Sequence, residues 1–273
     1  MQITRLAVLS LGLVVVGCSA EASSSSAPES SESSIINGTV NNGDPAVMAL
    51  YAQVEGQEGG ALCTSTLISP TVLLTAAHCV SSDMFEGQQP TFTAILGTDL
   101  RQPGARKAKV KEVHWDTRFD HSAPQNGYDI GVAVLEEPIT DIQPIPFNTQ
   151  ALSSETNGRE LRITGYGLDN GLEQVGLGGE GESSAGVKRV ATTKQISFDN
   201  MTVELGATSL FGTFLGEANI CSGDSGGPVL AKINGVETIV AVNSYGMIGC
   251  LGSSHSTRVD LYLPFIQSHL GGR

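Results

Sequence analysis

Two short segments carry residues whose types and spacing suit nucleophilic chemistry. Gly223-Asp224-Ser225-Gly226-Gly227-Pro228 can hold a serine at a sharp turn, with free backbone amides beside it. Leu74-Thr75-Ala76-Ala77-His78-Cys79 supplies a histidine next to a cysteine. A serine hydroxyl is a weak nucleophile at neutral pH and needs an oriented base. Imidazole serves as base and then as acid because its pKa lies near neutrality. Between the two segments, Asp129 opens the apolar run Ile130-Gly131-Val132-Ala133-Val134-Leu135. A charged group at the head of an apolar strand needs a partner once buried. Strand capping is the other role open to Asp129, and Asp120 is the alternative carboxylate. The other four histidines, His114, His121, His255 and His269, stand in no comparable motif and read as surface or packing residues.

These side chains need a scaffold, and the apolar pattern is that of short strands. Val47 to Val54, Ala61 to Ile68, Val72 to Thr75, Thr91 to Leu96 and Ile130 to Leu135 read as strands between turn signals. The pattern restarts with Glu160 to Gly165, Lys188 to Ile196, Thr202 to Leu205, Pro228 to Lys232, Thr238 to Ser244 and Ser256 to Val259. The 33 glycines and 11 prolines, with few helical patterns, favour an all-β fold. Two sets of about six strands suit two antiparallel six-stranded β-barrels. The first barrel is expected over about 35–150 and the second over about 151–260. A closing helix is expected over 261–270, with Leu261, Phe265 and Leu270 inward. Asp169 to Gly186, rich in glycine and acid, reads as an exposed flexible loop whose acid spacing matches no known calcium loop.

The chain has 28 acidic and 15 basic residues, a net charge of −13, which argues against a nucleic-acid partner. Arg5 followed by the short apolar run Leu6 to Gly17 reads as an export signal over 1–18, too short to span a bilayer comfortably. Val15-Val16-Gly17-Cys18 resembles a bacterial lipobox, in which Cys18 is lipidated; an ordinary secretory signal cleaved near Ala20 or Ala22 is the alternative. Of five cysteines in an exported chain, one is left over, and a lipid on Cys18 accounts for it. Residues 19–34 hold nine serines, three glutamates, three alanines and one proline, and read as a disordered tether or propeptide.

The serine and histidine motifs together resemble the chymotrypsin-like serine peptidase family, from Ile35 nearly to the C-terminus. The chain order His, Asp, Ser is also that of the family. The resemblance implies a triad of His78, Asp129 and Ser225, with the amides of Gly223 and Ser225 as oxyanion hole. It implies disulfides Cys63–Cys79 and Cys221–Cys250, although spacing alone permits three pairings. It implies activation by cleavage before Ile35-Ile36-Asn37-Gly38, the new amine pairing with Asp224. A buried carboxylate without its cation costs of order 3–5 kcal/mol, so the uncleaved loop would be poorly organised. Ser34 precedes the cleavage point, which argues against a trypsin-like activator. Gly165-Tyr166-Gly167 is similar to the family's Gly-Trp-Gly. Ser244-Tyr245-Gly246 is similar to the strand that pairs with extended substrate. Asn219, Gly246 and Ser254 fall at the primary specificity pocket, which would be neutral and disfavour Arg and Lys.

The expected protein is a monomeric exported endopeptidase, secreted or lipid-anchored at a bacterial envelope. It acts on proteins or peptides and touches membrane only through Cys18. It needs no cofactor or metal, and Gly97-Thr98-Asp99 lacks the carboxylates of a calcium loop. A non-catalytic binding member of the fold, or an esterase with the same triad, is the alternative.

Overall fold

A computed structural model describes residues 35–153, 158–178 and 183–271. The expected export signal with Cys18 and the expected tether over 19–34 lie outside the described residues.

Six antiparallel strands close the first barrel: β2 (Val47–Gln53), β3 (Ala61–Ser69), β4 (Val72–Thr75), β5 (Thr91–Leu96), β6 (Arg106–Trp115) and β7 (Gly131–Leu135). Their spatial order is β2-β3-β4-β7-β6-β5. The second barrel holds β8 (Glu160–Gly165), β9 (Arg189–Phe198), β10 (Thr202–Gly206), β11 (Pro228–Ile233), β12 (Val236–Gly246) and β13 (Ser253–Arg258). It runs β9-β10-β13-β12-β11-β8, and β8 pairs back onto β9 to close it. This is the expected pair of six-stranded barrels with a short C-terminal helix. Closure removes the open edges that a free sheet would expose.

β6 is the strand that hydropathy alone conceals. Arg106, Lys107, Lys109, Lys111 and Glu112 fill half of its ten residues. Ala108 and Val110 pack inward against the first core, and so do Val113 and Trp115. A register shift between Val110 and Glu112 lets the inward set change from even to odd positions. A strict period of two is therefore broken mid-strand.

The two barrels are interlocked by the ends of the described chain. Ile35 is completely buried in the second core, and β1 (Thr39–Val40) pairs with β9. At the other end, Tyr262 and Ile266 enter the first core. Residues 35–40 thus belong with the second barrel, and the C-terminal helix belongs with the first. This differs from the simple division at about 150. The Tyr262 hydroxyl accepts a hydrogen bond from Tyr128 N at 2.9 Å, one residue before Asp129.

The segment 169–186 differs from a free loop in its described parts. Asn170 caps a helical turn, α1 (Gly171–Gln174). The Gln174 amide oxygen accepts from Gly249 N, and its nitrogen donates to Ser222 Oγ at 2.8 Å. Ser183 and Ser184 hydroxyls both donate to the Glu173 carboxylate. The disulfides are Cys63–Cys79 and Cys221–Cys250. Such bonds persist in oxidising compartments.

The C-terminal helix α2 spans Leu263–Leu270, with Pro264 in its first turn. Proline fits there because it lacks the amide that a helix start leaves free anyway. The start after Tyr262 turns Ile266 fully inward and leaves Leu261 41% exposed, against the expected inward Leu261. Phe265 and Leu270 are partly buried against the first core. Ile266→Ala is expected to lower unfolding free energy by about 2–5 kcal/mol. Leu261→Ala should change it by no more than about 0.5 kcal/mol. Urea melts of the two variants check the assignment.

Candidate active site

Adjacent strands bring a histidine and a carboxylate together. β4 pairs with β7, with Thr75 opposite Gly131. His78 stands in the 3-10 turn after β4, and Asp129 lies two residues before β7. The pairing therefore sets both at one end of the first barrel. His78 Nδ1 lies 2.7 Å from Asp129 Oδ2, and His78 N donates to Asp129 Oδ1 at 2.9 Å. From β12 of the second barrel, Ser244 Oγ donates to Asp129 Oδ2. Asp120 instead accepts from the amide and hydroxyl of Ser122, at 2.9 and 2.7 Å.

This packing tunes both groups. Burial pushes the His78 pKa down, but the Asp129 charge and hydrogen bond outweigh it and leave the value raised. Burial pushes Asp129 up, while the imidazolium, its hydrogen bonds and Ser244 Oγ hold the carboxyl below its ordinary value. The pair favours an ionised carboxylate and a protonatable ring, with Nδ1–H fixed toward Asp129.

Ser225 sits in the turn before β11. Gly223 has φ +98° and Gly226 has φ +81°, both in the left-handed region. Space forbids side chains as well. A Cβ on Gly223 would lie 2.7 Å from Gly167 Cα, and one on Gly226 only 2.1 Å from Thr75 Oγ1. Thr64 pins the turn to the first barrel. Its amide donates to Ser225 O at 2.8 Å, and its hydroxyl donates to Gly223 O at 2.9 Å. Among the described residues, neither Gly223 N nor Ser225 N donates a hydrogen bond. Such free amides can receive a developing oxyanion. Ser225 Oγ and His78 Nε2 make no direct hydrogen bond to each other among the described contacts. Such bonds are often long without substrate.

Asp224 is fully buried beneath this turn. Its oxygens accept from Gly167 N at 2.8 Å and Cys221 N at 2.9 Å. Burial pushes its pKa up to about 7, against the pull of those amides and the Arg189 charge. Ile36 forms a two-way backbone bridge with Asn219, which ties the segment after Ile35 to the approach to Asp224. Asn37, at φ +59°, donates through its side chain to Thr213 O and Glu217 O.

Asn219 is completely buried and fully bonded. Its Nδ2 donates to Cys250 O and Gly252 O, and its Oδ1 accepts from Ile220 N and Ser254 Oγ. Ser254 pairs with Gly246 across β13 and β12. The neighbouring cross-strand pair is Tyr245 and His255, whose rings stack at 4.8 Å. His255 is thus engaged with Tyr245 and with Thr202 Oγ1.

Two contributors escaped the sequence reading. Thr64 carried no signal beyond its place beside Cys63. Asn243, whose Nδ2 donates to Asp224 O and whose Oδ1 accepts from Ser256, was hidden inside an apolar strand. Cys63, His78 and Cys79 are the one potential metal cluster among the described residues. Its sulfurs are joined to each other, so they offer no thiolate.

A histidine–carboxylate pair on one barrel and a glycine-bounded serine turn on the other, tied to the first by Thr64, stand on a two-barrel β scaffold. The model of the trypsin family matches residues 38–266, and the chain belongs to that family. Chymotrypsin of Phaedon cochleariae is 27% identical over 212 residues, covering 76% of this chain and 71% of the relative. Vitamin K-dependent protein C of Rattus norvegicus is 27% identical over 252 residues, covering 88% of this chain and 52% of the relative. Serine protease Hayan of Drosophila melanogaster is 26% identical over 220 residues, covering 75% of this chain and 34% of the relative. The chain thus spans about half the length of the protein C relative and a third of Hayan.

The raised Asp224 pKa carries a pH consequence for the chain with its peptide bond before Ile35 intact. Between about pH 4, the unfolded carboxyl value, and about 7, the folded chain holds this proton and the unfolded chain does not. Stability contributed by Asp224 should therefore fall as pH rises through that window. Urea midpoints taken from pH 4 to 8 should show this slope, and Asp224→Asn should flatten it. An unchanged slope in Asp224→Asn would remove the assignment.

Proposed function

We propose that this protein is an exported serine endopeptidase. Ser225 attacks the substrate carbonyl while His78 takes its proton, and His78 then donates that proton to the leaving amine. Asp129 holds the imidazole in the required tautomer and stabilises its charged form. The amides of Gly223 and Ser225 bind the oxyanion of each tetrahedral intermediate. Water then hydrolyses the acyl-enzyme by the same steps. The observation that carries this reading is the Asp129–His78 pair, a buried carboxylate bonded to both the ring and the backbone of one histidine.

Cleavage before Ile35 is the proposed activation step. The freed amine would supply the cation that Asp224 otherwise lacks and bring its pKa down. In a lipid-anchored protein, the same cut would release the enzyme from Cys18. Substrate pairs as an added strand along Ser244, Tyr245 and Gly246. Its primary side chain enters beside Gly246 and Ser254, above Asn219. All four hydrogen-bonding positions of Asn219 are occupied within the protein, which supports a pocket with neither charge nor free polar group at its base.

Intact mass and N-terminal sequencing of fluorophosphonate-treated exported protein test the reading directly. The expected result is one adduct on Ser225 in a form starting at Ile35, lost in Ser225→Ala. An Ile35-started form that takes no label would favour a binding protein, and labelled protein that turns over esters but no peptide would favour an esterase. Asp129→Asn should lower kcat about 10⁴-fold, the loss typical of this triad. The wild-type kcat/KM should rise with pH through an ionisation above the ordinary imidazole value. Among peptides differing at the primary position, Arg and Lys should be the poorest. A strong preference for Arg would overturn the placement of Asn219.

A further inference from the structure

Three successive amides after β8 are turned toward the serine turn. Leu168 N donates to Ser222 O at 2.8 Å, and Gly167 N donates to Asp224 Oδ1 at 2.8 Å. Those two bonds run directly from one segment to the other. The third amide, Tyr166 N, donates instead to Thr64 Oγ1 at 3.1 Å. That hydroxyl gives its own proton to Gly223 O at 2.9 Å. The Thr64 side chain is thus a bridge, accepting from Tyr166 N and donating to Gly223 O. Tyr166 follows β8 of the second barrel, whereas Thr64 stands on β3 of the first.

Packing fixes the bridge in place. Thr64, Tyr166 and Asp224 are all completely buried. Leu62, two residues earlier on β3, packs in the cluster that contains Tyr166, and strand alternation sets Thr64 on the same face. A Cβ on Gly227 would lie 3.1 Å from Thr64 Cγ2, so the methyl branch closes against the far end of the turn. A β-branched side chain has few rotamers, and this one leaves the hydroxyl beside Gly223. Among the described residues, no backbone amide donates to Gly223 O.

The bond to Gly223 O bears on the amide of the same residue. A trans peptide sends its N–H opposite to its C=O, so the bond from Leu168 N to Ser222 O turns Gly223 N away from residues 166–168. Glycine leaves rotation about its own bonds nearly free, and Gly223 stands at φ +98°. Holding Gly223 O fixes the second of its two peptide planes and removes that freedom. On the serine side, Asp224 O accepts from Gly227 N and Asn243 Nδ2, so the plane carrying Ser225 N has supports of its own.

We propose that the Thr64 hydroxyl is a positioning group for the oxyanion hole, keeping the Gly223 amide directed at the developing charge. This role rests on the peptidase reading above, in which Gly223 N and Ser225 N receive the oxyanion. The oxyanion exists in the tetrahedral intermediates and not in bound substrate, so Thr64 acts on turnover more than on binding.

Thr64→Val removes the hydroxyl and keeps the backbone amide that holds Ser225 O. In exported protein its kcat should fall about tenfold to 10²-fold, up to the loss typical of a missing oxyanion donor. KM should change by less than about threefold. Thr64→Ser, which keeps the hydroxyl, should restore kcat to within about threefold of wild type. The pH midpoint of kcat/KM should stay in place in both variants, because His78 and Asp129 keep their contacts. Melting curves control for folding. Thr64→Ala, which also lacks the hydroxyl and cannot overfill the site, replaces Thr64→Val if that variant does not fold. Unchanged kcat in the folded variant, even with a lowered melting temperature, would overturn the proposal. So would a change in KM alone, or equal losses in Thr64→Val and Thr64→Ser, which would assign the effect to packing. Fluorophosphonate labelling of the wild type separates the two readings. A wild type that takes no label at Ser225 removes the peptidase and the role of Thr64 with it. A labelled, active wild type matched by an equally active Thr64→Val removes only the role of Thr64.

Discussion

A carboxylate removed from water must be given partners, and Asp129 receives them from both barrels. His78 contributes a ring and a backbone amide, and Ser244 contributes a hydroxyl from across the interface. Losing either barrel's contribution would leave a buried charge undersatisfied, which is more costly than never having formed the pair. The barrels therefore cannot slide without breaking the Ser244 hydrogen bond to the carboxylate that orients His78. Thr64 adds a second cross-barrel tie, because its amide and hydroxyl hold the carbonyls of Ser225 and Gly223. Reactive groups and scaffold share one set of constraints.

The second buried carboxylate is less complete. Asp224 has amides at both oxygens but an environment that favours its neutral form. The contrast with Asp129 is physical: a histidine sits against Asp129, while Arg189 acts on Asp224 as only a minor influence. One acid is satisfied in the chain as synthesised, and the other is left to gain from any new cation. That difference separates a fixed part of the site from an adjustable one.

The places of His78, Asp129 and the serine turn were legible in the sequence because each stands in a short, contiguous motif. Glycines around Ser225 and the apolar run after Asp129 advertise their backbone roles. β4, β5 and β8 were bounded to the residue, since each is a short apolar or alternating run ended by turn signals. β6 was not, because its charged outer face dominates and its bulge breaks the alternation. The polar supports Thr64 and Asn243 were missed for another reason. Their partners are distant in sequence, and nothing local distinguishes a bridging threonine from one that merely fills a strand.

The crossing of the chain ends has a consequence for the order of events during synthesis. All strands of the first barrel have been made by Leu135, yet the helix that covers its core begins at Leu263. Likewise Ile35 and β1 are made early and must wait for β9. Neither barrel can reach its final packing before nearly the whole chain is available. A chain built this way stays unfinished until its last strands and helix are made, and the two barrels complete their packing together.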